Sequence, residues 1–370
     1  MSTIPRIYLD FNATTPLTVR ARDAMLEVIA WLGGNPSSIH AEGRHARDVI
    51  ERARNAVAGL MGRPREQIVF TSGGTESNAL GVATLAAAVE LRGLPRVVAS
   101  SPIDHPSLLA AVNALAGRGW EVRAVPTAEP TRAIFDGVGL LATAVVNHEL
   151  GTLLDARLIV AARAAGALVH LDAVQAAGKR ALGSVDADAL AISGHKIGGP
   201  QGVGAVALAI DGPVAAFGHQ ERGRRGGTEN TIGIAGFGAA ADAIGGPELW
   251  DVVADLGARL EAGILAIPDT RIHGGDVPRA GGTVNARFGG ARGEAIVIAL
   301  DLAGVAASTG AACTSGTVQP SPVLLALGLT PDEAREAVRF SLGRTTTRDE
   351  IDRVIGLLAS IVERARHHRS

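Results

Sequence analysis

The 370-residue chain holds a single cysteine, Cys313. It cannot form an intrachain disulfide, and it cannot build a cysteine-based metal cluster on its own. Lysine is nearly as scarce: Lys179 and Lys196 are the only two, and arginine supplies the rest of the 35 basic residues. The net charge is small, −2 at neutral pH. That excludes the electrostatic footprint of a nucleic-acid-binding protein and a polybasic membrane patch. No apolar run reaches the roughly 20 residues that span a bilayer. The first six residues lack the charged-then-apolar pattern of a signal peptide. A soluble cytoplasmic protein is the expectation.

Apolar residues make up 47% of the chain, enough for a sizeable core. The length fits one large and one smaller domain. Between residues 65 and 210 short apolar runs alternate with helical patterns. Strands are expected at 67–70, 96–100, 121–125, 141–146, 168–172, 189–193 and 203–210. Helices are expected at 77–91, 107–116 and 156–165. This alternation predicts a mostly parallel sheet covered on both faces, with ligands beyond the carboxyl ends of the strands. After residue 250 the texture changes. Helices at 252–266 and 293–302, strands at 283–288, 305–308 and 337–341, and a closing amphipathic helix through Ile351, Val354, Leu358 and Ile361 form a smaller α+β domain. The boundaries read as 15–255 for the large domain, with 1–14 and 256–370 for the small one, which carries Cys313.

Five segments carry candidate chemistry. Thr71-Ser72-Gly73-Gly74-Thr75-Glu76-Ser77-Asn78 follows a strand and opens a helix, so its backbone can cradle a phosphate; an ordinary βα turn is the alternative. Asp172 ends an apolar strand, where a carboxylate needs a cationic partner such as a protonated pyridine nitrogen; a helix N-cap is the alternative. Lys196 lies just past another strand, in Ser193-Gly194-His195-Lys196. A lysine can lose its proton and act as an amine where an arginine cannot, so scarcity singles Lys196 out as a Schiff-base residue over a solvated loop lysine. Lys179 reads as solvated. His105, in Asp104-His105-Pro106, can stack on a ring and move protons. Cys313 lies in a stretch of small and polar residues, Ser308 to Gly316, where a reactive thiol and an inert one are both open readings.

Taken in order, these segments resemble the NifS/IscS-type cysteine desulfurases of the class V aminotransferase superfamily. The resemblance runs from Tyr8-Leu9-Asp10 to Ser341-Leu342-Gly343-Arg344. It also includes Asn12-Ala13-Thr14-Thr15-Pro16, Gly34-Asn35-Pro36-Ser37-Ser38, Asp172-Ala173-Val174-Gln175, Arg225-Gly226-Gly227-Thr228-Glu229-Asn230 and Ala312-Cys313-Thr314-Ser315. It implies the pyridoxal 5'-phosphate (PLP) transferase fold of type I, with a large, mostly parallel α/β domain and a smaller α+β domain.

The resemblance also implies roles. Lys196 would hold the PLP. Asp172 would pair with its pyridine nitrogen, Gln175 would sit near its phenolic oxygen, and His105 would stack on its ring. Gly74, Thr75, Ser193 and His195 would hold the phosphate, and Thr228 would reach the phosphate in the other subunit of a homodimer. Arg339 and Asn12 would bind substrate, and Cys313 would take sulfur from L-cysteine for a protein acceptor. The residues after Cys313 match the longer catalytic loop of the NifS/IscS group.

Two departures stand out. Val146-Asn147-His148-Glu149 replaces the usual Val-Asn-Asn-Glu, so His148 takes the place of an asparagine that contacts the phenolic oxygen. The chain also ends at Ser370, without the longer tail with which the IscS type docks its iron–sulfur scaffold. Alternative readings are a selenocysteine lyase or another class V aminotransferase, and, outside the enzymes, a PLP-fold sulfur relay or scaffold.

Overall fold

The computed structural model describes residues 6–31, 33–125, 132–210, 218–310 and 319–367. Cys313 lies outside the described residues. The chain forms two compact units. One comprises Thr15–Val146 and Leu154–Gly246, the other Met1–Thr14, Asn147–Leu153 and Pro247–Ser370.

Strands and helices are numbered along the chain. β1 (Ile7–Tyr8) belongs to the second unit. The first unit contains α1 (Val19–Ala30), α2 (Ala41–Met61), β2 (Ile68–Thr71), α3 (Gly74–Leu91), β3 (Val97–Ser100), α4 (Pro106–Ala116) and β4 (Glu121–Ala124). It continues with β5 (Leu140–Ala144), α5 (Ala156–Ala164), β6 (Leu168–Asp172), β7 (Ala189–Ser193), β8 (Gly204–Leu208), the single turn α6 (Gln220–Gly223) and α7 (Thr231–Ala243). Its seven strands lie in the order β2-β8-β7-β6-β5-β3-β4. Only β8 runs against its neighbours, so the other six end at one edge.

The alternating run expected between residues 65 and 210 is thus realised, with seven strands close to the expected positions. β5 to β8 are almost wholly buried and mostly apolar, as strands sandwiched between helices must be; the exceptions include His170 and Asp172 on one face of β6. α3 is buried too. Its Val82, Leu85 and Val89 meet Val98, Leu140, Leu168 and Val206 of the sheet and Leu108 and Val112 of α4. Among the described residues, no helix is long and apolar enough to cross a membrane.

The second unit adds α8 (Asp251–Leu265), β9 (Thr270–Ile272), β10 (Thr283–Phe288), α9 (Gly293–Leu302), β11 (Val305–Ala306), α10 (Pro322–Ala326), α11 (Pro331–Arg335), β12 (Ala337–Ser341) and α12 (Arg348–His367). β10 is central in an antiparallel sheet ordered β12-β10-β9. β1 pairs in parallel with β11. Val284, Ala286, Phe288, Val338 and Phe340 alternate onto one sheet face and pack on α8 and α12 through Leu260, Ile264, Ile351, Val354 and Leu358.

Two boundaries differ from the sequence reading. Asn147–Leu153, read as large-domain chain, belongs to the second unit. Thr152 bridges to Arg279, and the Leu153 N–H bonds to the Pro278 carbonyl, so backbone pairing draws the segment there. The first unit also ends at Gly246, before the expected residue 255. Trp250 and Val253 are the cause, because both are buried in the second unit's core.

Candidate active site

The shared edge of the large sheet collects the ends of β2, β3, β6 and β7. It therefore gathers Thr71, Ser100, Asp172 and Ser193, with the turns that follow them. Such an edge is where open α/β sheets bind ligands.

Asp172, at the end of β6, is buried. Its Oδ1 accepts the Val174 N–H (2.9 Å) and its Oδ2 accepts Asn78 Nδ2–H (2.7 Å). Burial raises its pKa; the Asn78 and Val174 hydrogen bonds, and then the charges of His105 and Lys196, oppose the rise. Three groups expected at the site thus lie within electrostatic reach of one another. A cation beside Asp172 would relieve the cost of its burial.

His105 caps α4. Its Nδ1 accepts the Ser107 N–H at 3.1 Å and lies 2.8 Å from Ser107 Oγ. The Ser107 hydroxyl can donate to Nδ1 or accept from it, so the contact suits either protonation state of that nitrogen. Desolvation lowers the His105 pKa, against the pull of Asp172. The preceding Asp104 is buried and anchors the turn. Its Oδ1 accepts from Thr143 Oγ1 and the Ala144 N–H, and its Oδ2 from Ser100 Oγ and the Ser101 N–H. Burial pushes its pKa up to about 7.

The start of α3 has the chemistry an anion would need. A Cβ at Gly74 would stand 2.8 Å from Val174 Cγ2 and 3.5 Å from Ser193 Cβ, so only a glycine leaves that approach open. Ser193 is buried and its hydroxyl has no partner. Thr75 is exposed in the first turn of α3, and His195 is half-buried in the turn after β7. Burial, aided by the Lys196 charge, lowers the His195 pKa to about 4. Lys196 is half-buried, and its carbonyl accepts from Thr15 Oγ1 at 3.0 Å.

Lys179 corrects the sequence reading. It is buried, not solvated, and its Nζ donates to Gln175 Oε1 at 3.0 Å. The one-turn spacing after β6 brings the two together. Thr228 is exposed, in the segment that follows α6. Within α6 itself Glu221 and Arg222 hold positive φ (47° and 60°), a strained conformation for residues with a Cβ. The buried Arg54 secures it with a two-pronged grip on Glu221 (2.7 and 2.8 Å), while Arg225 pairs with Glu76 of α3 at 3.0 Å.

The second unit places Arg339, Asn12 and His148 together. Arg339 Nη1 donates to the His148 carbonyl (3.2 Å) and Nη2 to Asp10 Oδ1 (2.9 Å), while Nε is buried without a partner. Asn12 is buried, and its Nδ2 donates to the same His148 carbonyl (3.1 Å) and to Thr283 Oγ1 (3.0 Å). The His148 ring stands 3.7 Å from the carboxylate of Glu149. Glu149 is buried and accepts from Ser321 Oγ at 2.5 Å; burial pushes its pKa up to about 7.

Sequence reasoning gave no role to Asp10, Asn78, Asp104, Glu149 or His170, and misread Lys179. The usable signal was a polar residue inside an apolar run, as with His170 two places before Asp172.

The first unit fits a phosphorylated pyridine aldehyde. A half-buried amine, a buried carboxylate needing a cation, an unpartnered buried hydroxyl and a glycine-lined helix start are the groups such a molecule requires.

The comparisons agree. The class V aminotransferase family profile matches residues 7–354. Cysteine desulfurase 2 of Trichormus variabilis is 38% identical over 97% of this chain and 94% of its own. A cysteine desulfurase of Cereibacter sphaeroides is 40% identical over 98% and 97%. A solved NifS-like protein superposes with a TM-score of 0.86 at 28% identity, covering 97% of this chain and 99% of its own. The chain belongs to the class V aminotransferases and, within them, to the PLP-dependent cysteine desulfurases.

Proposed function

We propose that this chain removes sulfur from L-cysteine, releasing L-alanine and leaving a persulfide on Cys313 for transfer to a protein acceptor. The observation that carries the reading is the electrostatic cluster of Lys196, Asp172 and His105 at one sheet edge, beside the unpartnered Ser193 hydroxyl. PLP supplies an electron-withdrawing ring to which the amino acid bonds through its nitrogen.

The chain's own residues do the rest. Lys196 would hold the cofactor covalently, and its side chain, as an amine, would exchange protons with the substrate. Asp172 would keep the ring nitrogen protonated, and Gln175 and His148 would donate to the phenolic oxygen. Gly74, Thr75, Ser193 and His195 hold the phosphate, joined by Thr228 of a second copy in a homodimer. His105 would stack on the ring and move a proton. Arg339 forks the substrate carboxylate, with Asn12 bracing the His148 carbonyl on which Arg339 also rests.

Cys313 attacks as a thiolate. A sulfur–sulfur bond forms, the Cβ–S bond breaks, and Cβ gains a proton. Carbon is reduced while the two sulfurs are oxidised to the persulfide level, so no external oxidant or reductant enters.

The acceptor belongs to iron–sulfur cluster or thio-cofactor assembly, in the cytoplasm. A substrate panel tests the reading: PLP-loaded protein given L-cysteine should yield alanine and enzyme-bound sulfur in equal amounts. A keto acid as the main product, or turnover with L-selenocysteine alone, would point instead to an aminotransferase or a selenocysteine lyase. Absence of bound PLP would point to a relay or scaffold.

A further inference from the structure

We propose that His170 is a positioning residue for the cofactor: acting through Asn78, it dictates which end of an amide meets Asp172. The inference rests on the reading of Asp172 as the partner of the ring nitrogen. It assigns work to two residues that this reading leaves without any.

His170 and Asp172 are two apart on β6, so their side chains leave the same face. α3 lies over that face with Asn78 and, three residues on, Gly81. His170 Nε2 lies 3.1 Å from Asn78 Oδ1, and Asn78 Nδ2 donates to Asp172 Oδ2 at 2.7 Å and to Ser107 Oγ at 3.2 Å. All three members of the chain are buried.

The direction of these bonds follows from the far side of the imidazole. His170 Nδ1 is buried without a partner. A Cβ at Gly81 would come within 2.5 Å of it, so the helix closes over that nitrogen with bare backbone. A proton on Nδ1 would be a buried donor with nothing to meet. The neutral ring therefore carries its proton on Nε2 and donates to Asn78 Oδ1. That turns the Asn78 NH2 group toward Asp172. The reversed amide would set its oxygen against the carboxylate and its NH2 against the Nε2–H, two repulsions at once.

Burial also holds the ring neutral, with a pKa near 3, so the arrangement does not change across the neutral range. With Oδ1 taken by the Val174 N–H and one side of Oδ2 by Asn78, the carboxylate is held in a single orientation for its cationic partner.

The test measures PLP uptake by the apo-protein, as a Kd from equilibrium dialysis, with the absorbance spectrum of the bound cofactor. His170→Leu should raise the Kd about tenfold, the equivalent of one hydrogen bond to a charged group, and shift the absorbance band. His170→Gln places an N–H where Nε2–H stood and should restore both. Gly81→Ala removes no polar group but must displace the imidazole, so it should act like His170→Leu in milder form. In an Asn78→Ala background His170→Leu should add little, because the route is gone.

A His170→Leu or Gly81→Ala protein that is folded by circular dichroism and binds PLP within twofold of wild type would overturn the proposal. Full additivity with Asn78→Ala would do the same. If His170→Leu does not fold, Gly81→Ala decides alone. Failure of the wild-type apo-protein to take up PLP would strike the functional reading instead.

Discussion

Lys179 Nζ lies 3.0 Å from Gln175 Oε1, so both lysines of the chain are tied to residues of the proposed cofactor site. An ammonium only donates, so the contact fixes Gln175 with its oxygen toward Lys179 and its NH2 group pointing away from it. Solvent exposure would have made Lys179→Arg silent; burial predicts otherwise. Lys179→Met removes a buried hydrogen bond from a charged donor and should cost about 1–2 kcal/mol in denaturant unfolding. It should also move the pH dependence of the bound cofactor's absorbance. Lys179→Arg must fit a larger, planar head in the same space and should destabilise as well. Stability and spectra unchanged in both variants would return Lys179 to the role of a bystander.

Borohydride reduction of the PLP-loaded protein, followed by peptide mass mapping, should place the fixed cofactor on Lys196 and not on Lys179. Lys196→Ala should lose the fixed label and fall to background turnover. A label on Lys179 would refute the assignment, whatever the turnover.

Arg339 already spends Nη1 on the His148 carbonyl and Nη2 on Asp10, and it keeps Nε buried without a partner. Lysine cannot reproduce that planar set. Arg339→Lys should therefore lower kcat/KM for L-cysteine by roughly 10- to 100-fold, mostly through KM, with PLP content unchanged. A fall in PLP content with an unchanged KM would place Arg339 elsewhere in the mechanism.

Buried titratable groups make opposing contributions to acid stability. His170 is held near a pKa of 3, and His195 and His273 near 4, below the ordinary 6.5. These depressed values give stability that is present above pH 6.5 and lost as the pH falls toward 4, because the unfolded chain binds the protons first. Asp104 and Glu149 are raised to about 7, from 3.8 and 4.5. They favour the folded state at low pH, and that contribution is lost as the pH rises through 7. Between pH 4.5 and 6.5 the two sets oppose. Glu149→Gln removes one opposing acid, so the apo-protein's stability should fall more steeply on acidification, by up to about 1.4 kcal/mol per pH unit. Unfolding titrations at several pH values measure this; a flatter profile in the variant would contradict the assignment.

The large sheet was legible because its strands are short apolar runs with turn signals between them, and buried parallel strands carry no other pattern. α7 was not, because Thr231-Ile232-Gly233-Ile234-Ala235-Gly236-Phe237-Gly238 reads as a glycine-rich loop. Its glycines serve packing: a Cβ at Gly238 would lie 2.5 Å from Ala53 Cα of α2. Lys196, Asp172 and His105 were found because they stand just past strand ends. Lys179 and His170 were misread or missed because their partners, Gln175 and Asn78, are uncharged amides. Nothing in a linear pattern says which amide a buried cation or imidazole will meet. Glu149 was missed for a related reason: its partner Ser321 is 172 residues away.

Cys313 lies outside the described residues, so its role is open to experiment alone. Electron withdrawal at the substrate's Cα does not lift sulfur from Cβ; a nucleophile must take it. An unperturbed thiol with a pKa of about 8.5 is only a few per cent ionised at pH 7, so a nearby proton acceptor would speed the attack. His105 is suited to that task, because desolvation lowers its pKa and so favours the neutral, proton-accepting ring. Serine at position 313 keeps the size of the side chain and loses the nucleophile. Cys313→Ser should bind PLP and L-cysteine with spectral changes like those of the wild type. It should release no sulfide under reductant, and its loop peptide should gain no mass of one sulfur after treatment with L-cysteine. Alanine should fall at least a hundredfold, on the order of what losing a covalent nucleophile costs. Alanine production close to wild type would mean that sulfur leaves without a thiol acceptor, and the persulfide route would have to be given up for a lyase.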